Sequence, residues 1–249
     1  MRLSVNVNKV ATLRNSRGGD SPSVLEAVSV CLDAGVTGIT VHPRADARHI
    51  TRRDVTDIAA RLAPLRGRVE YNIEGDPRPD LLALVQDVRP DQCTLVPVVP
   101  GEITSQAGWP NTTPRADLQR IVGSMKSAGI RVSLFVDPDE APVAWAAEVG
   151  ADRVELYTEP FAKAFARGEG ATSFAQYTRA AERAHQLGMG VNAGHDLDLE
   201  NLALFRTLPH LDEVSIGHAL MSHALFVGLR QSVTDYLAAC AYVGRVEPS

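Results

Sequence analysis

Three cysteines among 249 residues, spread as Cys31, Cys93 and Cys240, provide no Cys-x-x-Cys pair and no disulfide framework. Their odd number, with no secretory leader, fits thiols kept reduced in a cytosol. No apolar run approaches the roughly 20 residues of a membrane span. Met1-Arg2 leads directly into Leu3-Ser4-Val5-Asn6-Val7, so no signal-peptide apolar region is expected. The 25 lysines and arginines are scattered without blocks and the formal charge is −5, so there is no electrostatic footprint for nucleic acid or an anionic membrane. Low-complexity segments and internal repeats are absent as well. These absences point to a soluble, cytoplasmic protein whose partners are small molecules.

What is present is apolar material: 45% of the residues are hydrophobic in a chain of 26.8 kDa, enough for a large core. Length alone would suit one α/β barrel or two small domains. Short β-branched runs over 3–7, 38–42, 68–73, 92–96, 131–136, 153–157, 190–192 and 213–216 read as eight strands. Between them lie helix-length amphipathic segments over 23–34, 52–63, 79–88, 115–128, 140–149, 173–187, 200–208 and 219–243. Several stop at a glycine (Gly35, Gly129, Gly150, Gly188), the left-handed stop expected before the next strand. Eight strand–helix units over 249 residues leave about 31 residues each. The expected fold is α/β, a single (β/α)8 TIM barrel occupying residues 1–249 as one domain. It should carry an extra short helix over 160–167 and a lid loop after strand four, over 98–114.

Catalytic groups of such barrels come from the C-terminal ends of the strands, and nearly every strand here ends in a polar residue. Asn6 and Asn8 follow the first, His42 and Arg44 the second, Asn72 and Glu74 the third. Asp137 follows the fifth, Glu155 lies in the sixth, Asn192 and His195 close the seventh, and Gly217-His218 the eighth. The stretch from Gly38 to Ile50 is the densest, since Pro43 stops ladder pairing where His42, Arg44 and His49 appear. Each residue also has a bland alternative: a strand-end histidine for His42, a helix-entry carboxylate for Glu74, a structural ion pair for Glu155. Glu70 reads as a strand charge with a local partner, and His185, His210 and His223 as solvated or packing residues. Gly194-His195 and Gly217-His218 form a matched pair where loops and a following helix N-terminus commonly bind phosphate. Arg14 and Arg17, after the first strand, offer further anion contacts, although Arg14 could equally be a surface residue. Asn6-Val7-Asn8 supplies poor ligands at the place where a metal-hydrolase barrel carries two histidines, so no metal is expected.

Together these stretches resemble the pyridoxine 5′-phosphate synthase family of vitamin B6 biosynthesis. The similarity is carried in order by Val5-Asn6-Val7, 11–18, Gly38-Ile39-Thr40-Val41-His42 with Arg44, 48–51, Asn72-Ile73-Glu74, Leu95-Val96-Pro97, 132–135, 191–195 and 216–219. It implies a barrel enzyme that condenses 1-deoxy-D-xylulose 5-phosphate with 3-amino-2-oxopropyl phosphate, closing a pyridine ring and releasing phosphate and water. By position it implies proton acceptors in His42 and Glu74, a proton donor in His195, and in Glu155 a carboxylate supporting charged intermediates. It further implies that Arg44, His49 and Thr104 hold the sugar phosphate and that Asn6, Arg17, Gly217 and His218 hold the amino-ketone phosphate. No metal or redox cofactor is implied, and a homo-octamer is. Asn8-Lys9 stands where relatives often have Asp-His, and Asp196 where some have glycine. These departures bear on substrate binding more than on reaction type, as does Val98-Val99-Pro100 in place of a charged run.

Overall fold

The computed structural model describes residues 1–97 and 106–241. Eight parallel strands close into a barrel in sequence order: β1 (Arg2–Asn6), β2 (Gly38–Val41), β3 (Glu70–Gly75), β4 (Gln92–Leu95), β5 (Arg131–Val136), β6 (Arg153–Tyr157), β7 (Gly190–Gly194) and β8 (Leu211–Ile216). Outside them run α1 (Asn8–Asn15), α2 (Val24–Asp33), α3 (Arg52–Leu62), α4 (Pro79–Val88), α5 (Arg115–Ser127) and α6 (Glu140–Val149). They are followed by α7 (Glu159–Ala166), α8 (Gly170–Gln186), α9 (Leu202–Phe205), α10 (His218–Val227) and α11 (Leu229–Ala241). The expected (β/α)8 TIM barrel is present, and α7 is the expected extra helix. Of the expected lid after the fourth strand, residues 98–105 lie outside the described residues.

Alternation along the strands decides what the barrel encloses, because successive side chains point to opposite faces. Leu3 and Val5, Ile39 and Val41, Tyr71 and Ile73, and Val154 and Leu156 are all buried in the main core, which the helices cover. The opposite set faces inward and is polar. Ser4 and Thr40 share a hydroxyl hydrogen bond of 2.7 Å, and the Thr94 hydroxyl donates to Asn72 Oδ1 at 3.1 Å. At the N-terminal end Glu70 pairs with Arg2 at 3.0 Å and also with Arg131, partners on β1 and β5 and far away in the chain, where a local partner was expected. Toward the other end Val96, Phe135 and Tyr157 form a small apolar cluster separate from the main core.

One device recurs at the strand entrances. Asp91, just before β4, accepts from the backbone N–H of Tyr71 at 2.8 Å, and Asp152, just before β6, accepts from Val132 at 2.9 Å. Asp212, at the start of β8, accepts from Val191 at 3.2 Å. A carboxylate thus satisfies an otherwise orphaned amide where β3, β5 and β7 begin.

Three local expectations shift. Helix α1 is not among the expected helices, since it is short and polar and only Val10 and Ala11 are buried. It is held from outside: Arg14 forks onto Asp54 at 2.5 and 2.9 Å, and Asp54 also completes the capping box that starts α3 at Thr51. The expected helix over 200–208 contracts to the four residues of α9. The long final helix breaks at Gly228, whose φ of 85° and ψ of 151° side chains rarely tolerate. The two halves fold against each other, with Ser232 donating to Leu220 O at 2.8 Å and His223 meeting Asp235 at 2.9 Å. His223 is therefore a packing residue, as expected. The His185 and His210 rings stack 3.7 Å apart, so they too are occupied with each other.

Candidate active site

The C-terminal strand ends surround a cavity of about 470 Å3. Asn6, Asn8 and Lys9 reach it from the first unit, His42, Arg44 and His49 from the second, and Glu74 from the third. Glu155, His195, Asp196, Gly217 and His218 complete the ring from the sixth, seventh and eighth. Of the residues singled out in the sequence, Arg17 is not brought to this cavity: it sits exposed in the turn after α1. Thr104 lies outside the described residues. Arg14, expected as an anion contact, is committed instead to Asp54, and its side chain is 12% exposed. Four lining residues were not foreseen: Thr12, Arg48, Glu159 and Ser215. Alternation through Glu213, Ser215 and Gly217 could have signalled Ser215. Nothing local marks Glu159, which enters through the tertiary placement of α7.

The end of β1 wires this rim together. Asn6 Oδ1 accepts from the Asn8 N–H at 3.0 Å, and Asn8 Oδ1 accepts from the His42 N–H at 2.9 Å. The side-chain oxygen of Asn8 thus spans from α1 to the end of β2, a bond that needs an acceptor and no charge. Below Arg44, Arg78 donates to the Pro43 carbonyl at 2.5 Å, fixing the exit from β2.

His42 is 8% exposed, and its Nδ1 lies 3.9 Å from Glu74 Oε2. That pair is not an ion pair near neutrality. Burial, then the neighbouring His49, Arg44 and Arg78, push the imidazole down to about 3. Burial, then the neighbouring Glu155, push the Glu74 carboxyl well above its ordinary range. Glu155, 5% exposed, is raised by burial too, with Thr94 and His195 opposing. His49, whose ring lies 6.1 Å from that of His42, is pushed down to about 4 by burial and then by Arg44 and Lys9. His42 and His49 are therefore neutral imidazoles near neutrality, and the Glu74 and Glu155 carboxyls are both biased toward their protonated forms. His42 Nε2 and His49 Nδ1 have no hydrogen-bond partner among the described residues.

Glycine has a steric role at both Gly-His corners. A Cβ at Gly194 would stand 2.5 Å from Glu155 Oε1, and one at Gly217 3.0 Å from Asn6 Cβ. The absence of a side chain lets Glu155 and Asn6 occupy the floor. His195 Nδ1 lies 3.2 Å from Asp196 Oδ2, and this contact comes first among the causes that hold the Asp196 carboxyl below its ordinary range. Gly217-His218 opens α10, so a helix N-terminus faces the cavity with Lys9, Arg44 and Arg48 nearby. Amide donors and fixed positive charge in one pocket suit phosphate esters. Among the described residues, Glu159, His195 and Asp196 have ligand atoms within 4.8 Å of one another, the spacing of a metal site. Glu159 is already engaged there by the Tyr157 hydroxyl and by Lys163 at 2.7 Å.

Residues 3–242 match the family described as pyridoxal phosphate biosynthesis protein PdxJ. A pyridoxine 5′-phosphate synthase of Bacteroides thetaiotaomicron is 51% identical over 236 residues, covering 94% of this chain and 97% of its own. That of Cytophaga hutchinsonii is 50% identical over 237 residues, covering 95% and 97%. Among solved structures, phosphoribosyl anthranilate isomerase from Thermotoga maritima superposes with a TM-score of 0.60 at 12% identity, covering 96% of this chain and 98% of that one. The last likeness shows the barrel and nothing of the chemistry. With half its residues shared along almost its whole length, the chain belongs to the PdxJ family of pyridoxal phosphate biosynthesis proteins.

Proposed function

We propose that the chain is a pyridoxine 5′-phosphate synthase, joining 1-deoxy-D-xylulose 5-phosphate to 3-amino-2-oxopropyl phosphate with release of phosphate and water. The observation that carries this reading is the meeting of His42, Glu74, Glu155 and His195, from four different strands, in one cavity of a chain about 50% identical to synthases of that name.

Imine formation, phosphate elimination and dehydration each need protons moved in both directions. His42 is a neutral imidazole at neutral pH and so begins as a proton acceptor. Glu74 is biased toward its protonated form by burial and by Glu155. It becomes an acceptor when an amine or iminium cation enters, since a positive neighbour favours the carboxylate. Glu155 lies beside it to balance the same developing charge. His195 supplies protons from the opposite side. Arg44, His49 and Thr104 hold the sugar phosphate; Asn6, Gly217 and His218 hold the amino-ketone phosphate, without Arg17, which lies exposed outside the cavity. Asn8, Lys9 and Asp196 complete the substrate contacts, and no metal or redox cofactor takes part.

The enzyme is placed in the cytoplasm and assembled as a homo-octamer. An exposed apolar run at the end of α10 favours assembly, with Leu225 76%, Phe226 88% and Val227 41% accessible. Among the described residues no helix is long and apolar enough to cross a membrane.

The test is incubation of purified protein with both substrates, following free phosphate and the pyridine absorbance. Both signals should rise together and neither substrate alone should give them. Turnover of a single phosphorylated ketose without the amine overturns the reading.

A further inference from the structure

We infer that Thr158 is a positioning residue for His195, its hydroxyl holding the turn after β7 in the backbone conformation that aims the imidazole into the cavity. The inference rests on the proposed role of His195 as proton donor.

His195 and Asp196 are consecutive non-glycine residues with φ of 90° and 60°. Side chains disfavour that left-handed region, so two in succession persist only where surrounding contacts over-determine them. The contacts are specific. Thr158, fully buried at the junction of β6 and α7, donates its backbone N–H to the Gly194 carbonyl at 3.1 Å. Its hydroxyl lies 2.7 Å from the same carbonyl and also contacts the carbonyl of His195. The next carbonyl, of Asp196, accepts from Asn201 Nδ2 at 3.1 Å, and Asn201 is 2% exposed. Asn201 is fixed in turn by accepting from the Asp198 N–H at 2.9 Å. Three successive carbonyls of the turn are thus captured by two buried side chains from different parts of the chain.

The ring is bounded as well. The edge of Tyr157, one residue before Thr158, meets the His195 imidazole at 5.2 Å and 80°. Thr158 itself does not line the cavity, so it acts on the reaction only through His195. Removing its hydroxyl deprives the His195 carbonyl of a buried donor, and the relief open to the turn is a return of His195 to negative φ. That return would swing the imidazole off its line. A misplacement of 1 Å in a reacting group can cost about a hundredfold in rate.

Thr158→Val keeps the shape and removes the hydroxyl, whereas Thr158→Ser keeps the hydroxyl. The valine variant is expected to lose between about tenfold and a hundredfold in kcat with KM for both substrates within about twofold, and the serine variant to retain at least about half of kcat. In a His195→Asn background the valine change should cost nothing further, because the two residues act as one unit. Thr158→Ala is read in the same way should the valine methyl prevent folding. An independent readout is the imidazole Cε1–Hε1 NMR resonance of His195, assigned by its loss in His195→Asn. It should move in Thr158→Val and stay in place in Thr158→Ser. Unchanged kcat in the valine variant, an equal loss in the serine variant, the same loss in the His195→Asn background, or an unmoved resonance overturns the inference. If the wild-type protein forms no pyridine product, the functional reading falls, while the resonance still decides whether Thr158 positions His195.

Discussion

At the scale of single residues, the cavity works by withholding charge. His42 sits where burial and a cationic rim push it down to about 3, against an ordinary value of 6.5. The unfolded chain therefore takes up a proton below pH 6.5 that the folded chain refuses, and stability is lost as pH falls from there toward 3. Between pH 8 and 5 this single group accounts for about 2 kcal/mol of destabilisation. In His42→Asn the contribution disappears, so thermal melts at the two pH values should differ less than in the wild type. The same variant is expected to lose on the order of 10²- to 10⁴-fold in turnover, the span of a missing general base. Steady-state rates on the folded variant check this, and near-normal activity removes His42 from the chemistry. Gly194 makes a second case. An alanine there would put Cβ 2.5 Å from Glu155 Oε1, so Gly194→Ala must displace the carboxylate. The expected outcome is a fall in kcat of about tenfold or more, with the barrel still folded by circular dichroism.

At the scale of elements, α1 is the dependent one. Isolated helices of its length are not stable in water, and its anchor is the fork from Arg14 to Asp54 on α3. Burial raises the Asp54 carboxyl, yet hydrogen bonds from Arg14 and Thr51 win and hold it below its ordinary range. Thr51→Ala removes the helix cap and the hydroxyl bond to Asp54 but leaves the Arg14 fork, and should cost about 1 kcal/mol. Asp54→Asn leaves Arg14 uncompensated at 12% exposure and should cost about 3 kcal/mol. Because α1 carries Lys9 and Thr12 to the cavity, the asparagine variant should also raise KM, while Thr51→Ala leaves it nearly unchanged. Urea melts with substrate titrations separate the two effects.

For the whole molecule, the inside-out arrangement of the strands is the governing fact. Their apolar residues face the helices, and the barrel encloses Ser4, Thr40, Asn72, Thr94, Ser133 and Asn192, all buried. A polar interior lets the site extend downward from its rim without a carboxylate meeting an apolar wall. The exposed run at Leu225, Phe226 and Val227 is the opposite case, apolar surface facing out. Phe226→Glu should break the proposed octamer into smaller species, seen as a drop in mass by light scattering, with little change in the melting of the barrel itself. An unchanged mass removes this run from the subunit contact.

The sequence alone determined the number and order of strands, because β-branched runs and glycine stops are local signals that tertiary context did not override. It also located His42, Glu74, Glu155, His195 and the Gly-His corners, since the end of a strand is a local property and a barrel brings all such ends to one rim. Only the tertiary structure decided α1, whose stability comes from an arginine paired 40 residues away. It alone brought Glu159 to the cavity, broke the last helix at Gly228, and turned Arg14 from an anion contact into an anchor. It also showed Thr158 and Asn201 beneath His195. Contacts of this kind join residues far apart in the chain, and no composition or period along the sequence encodes which carbonyl a buried hydroxyl will meet.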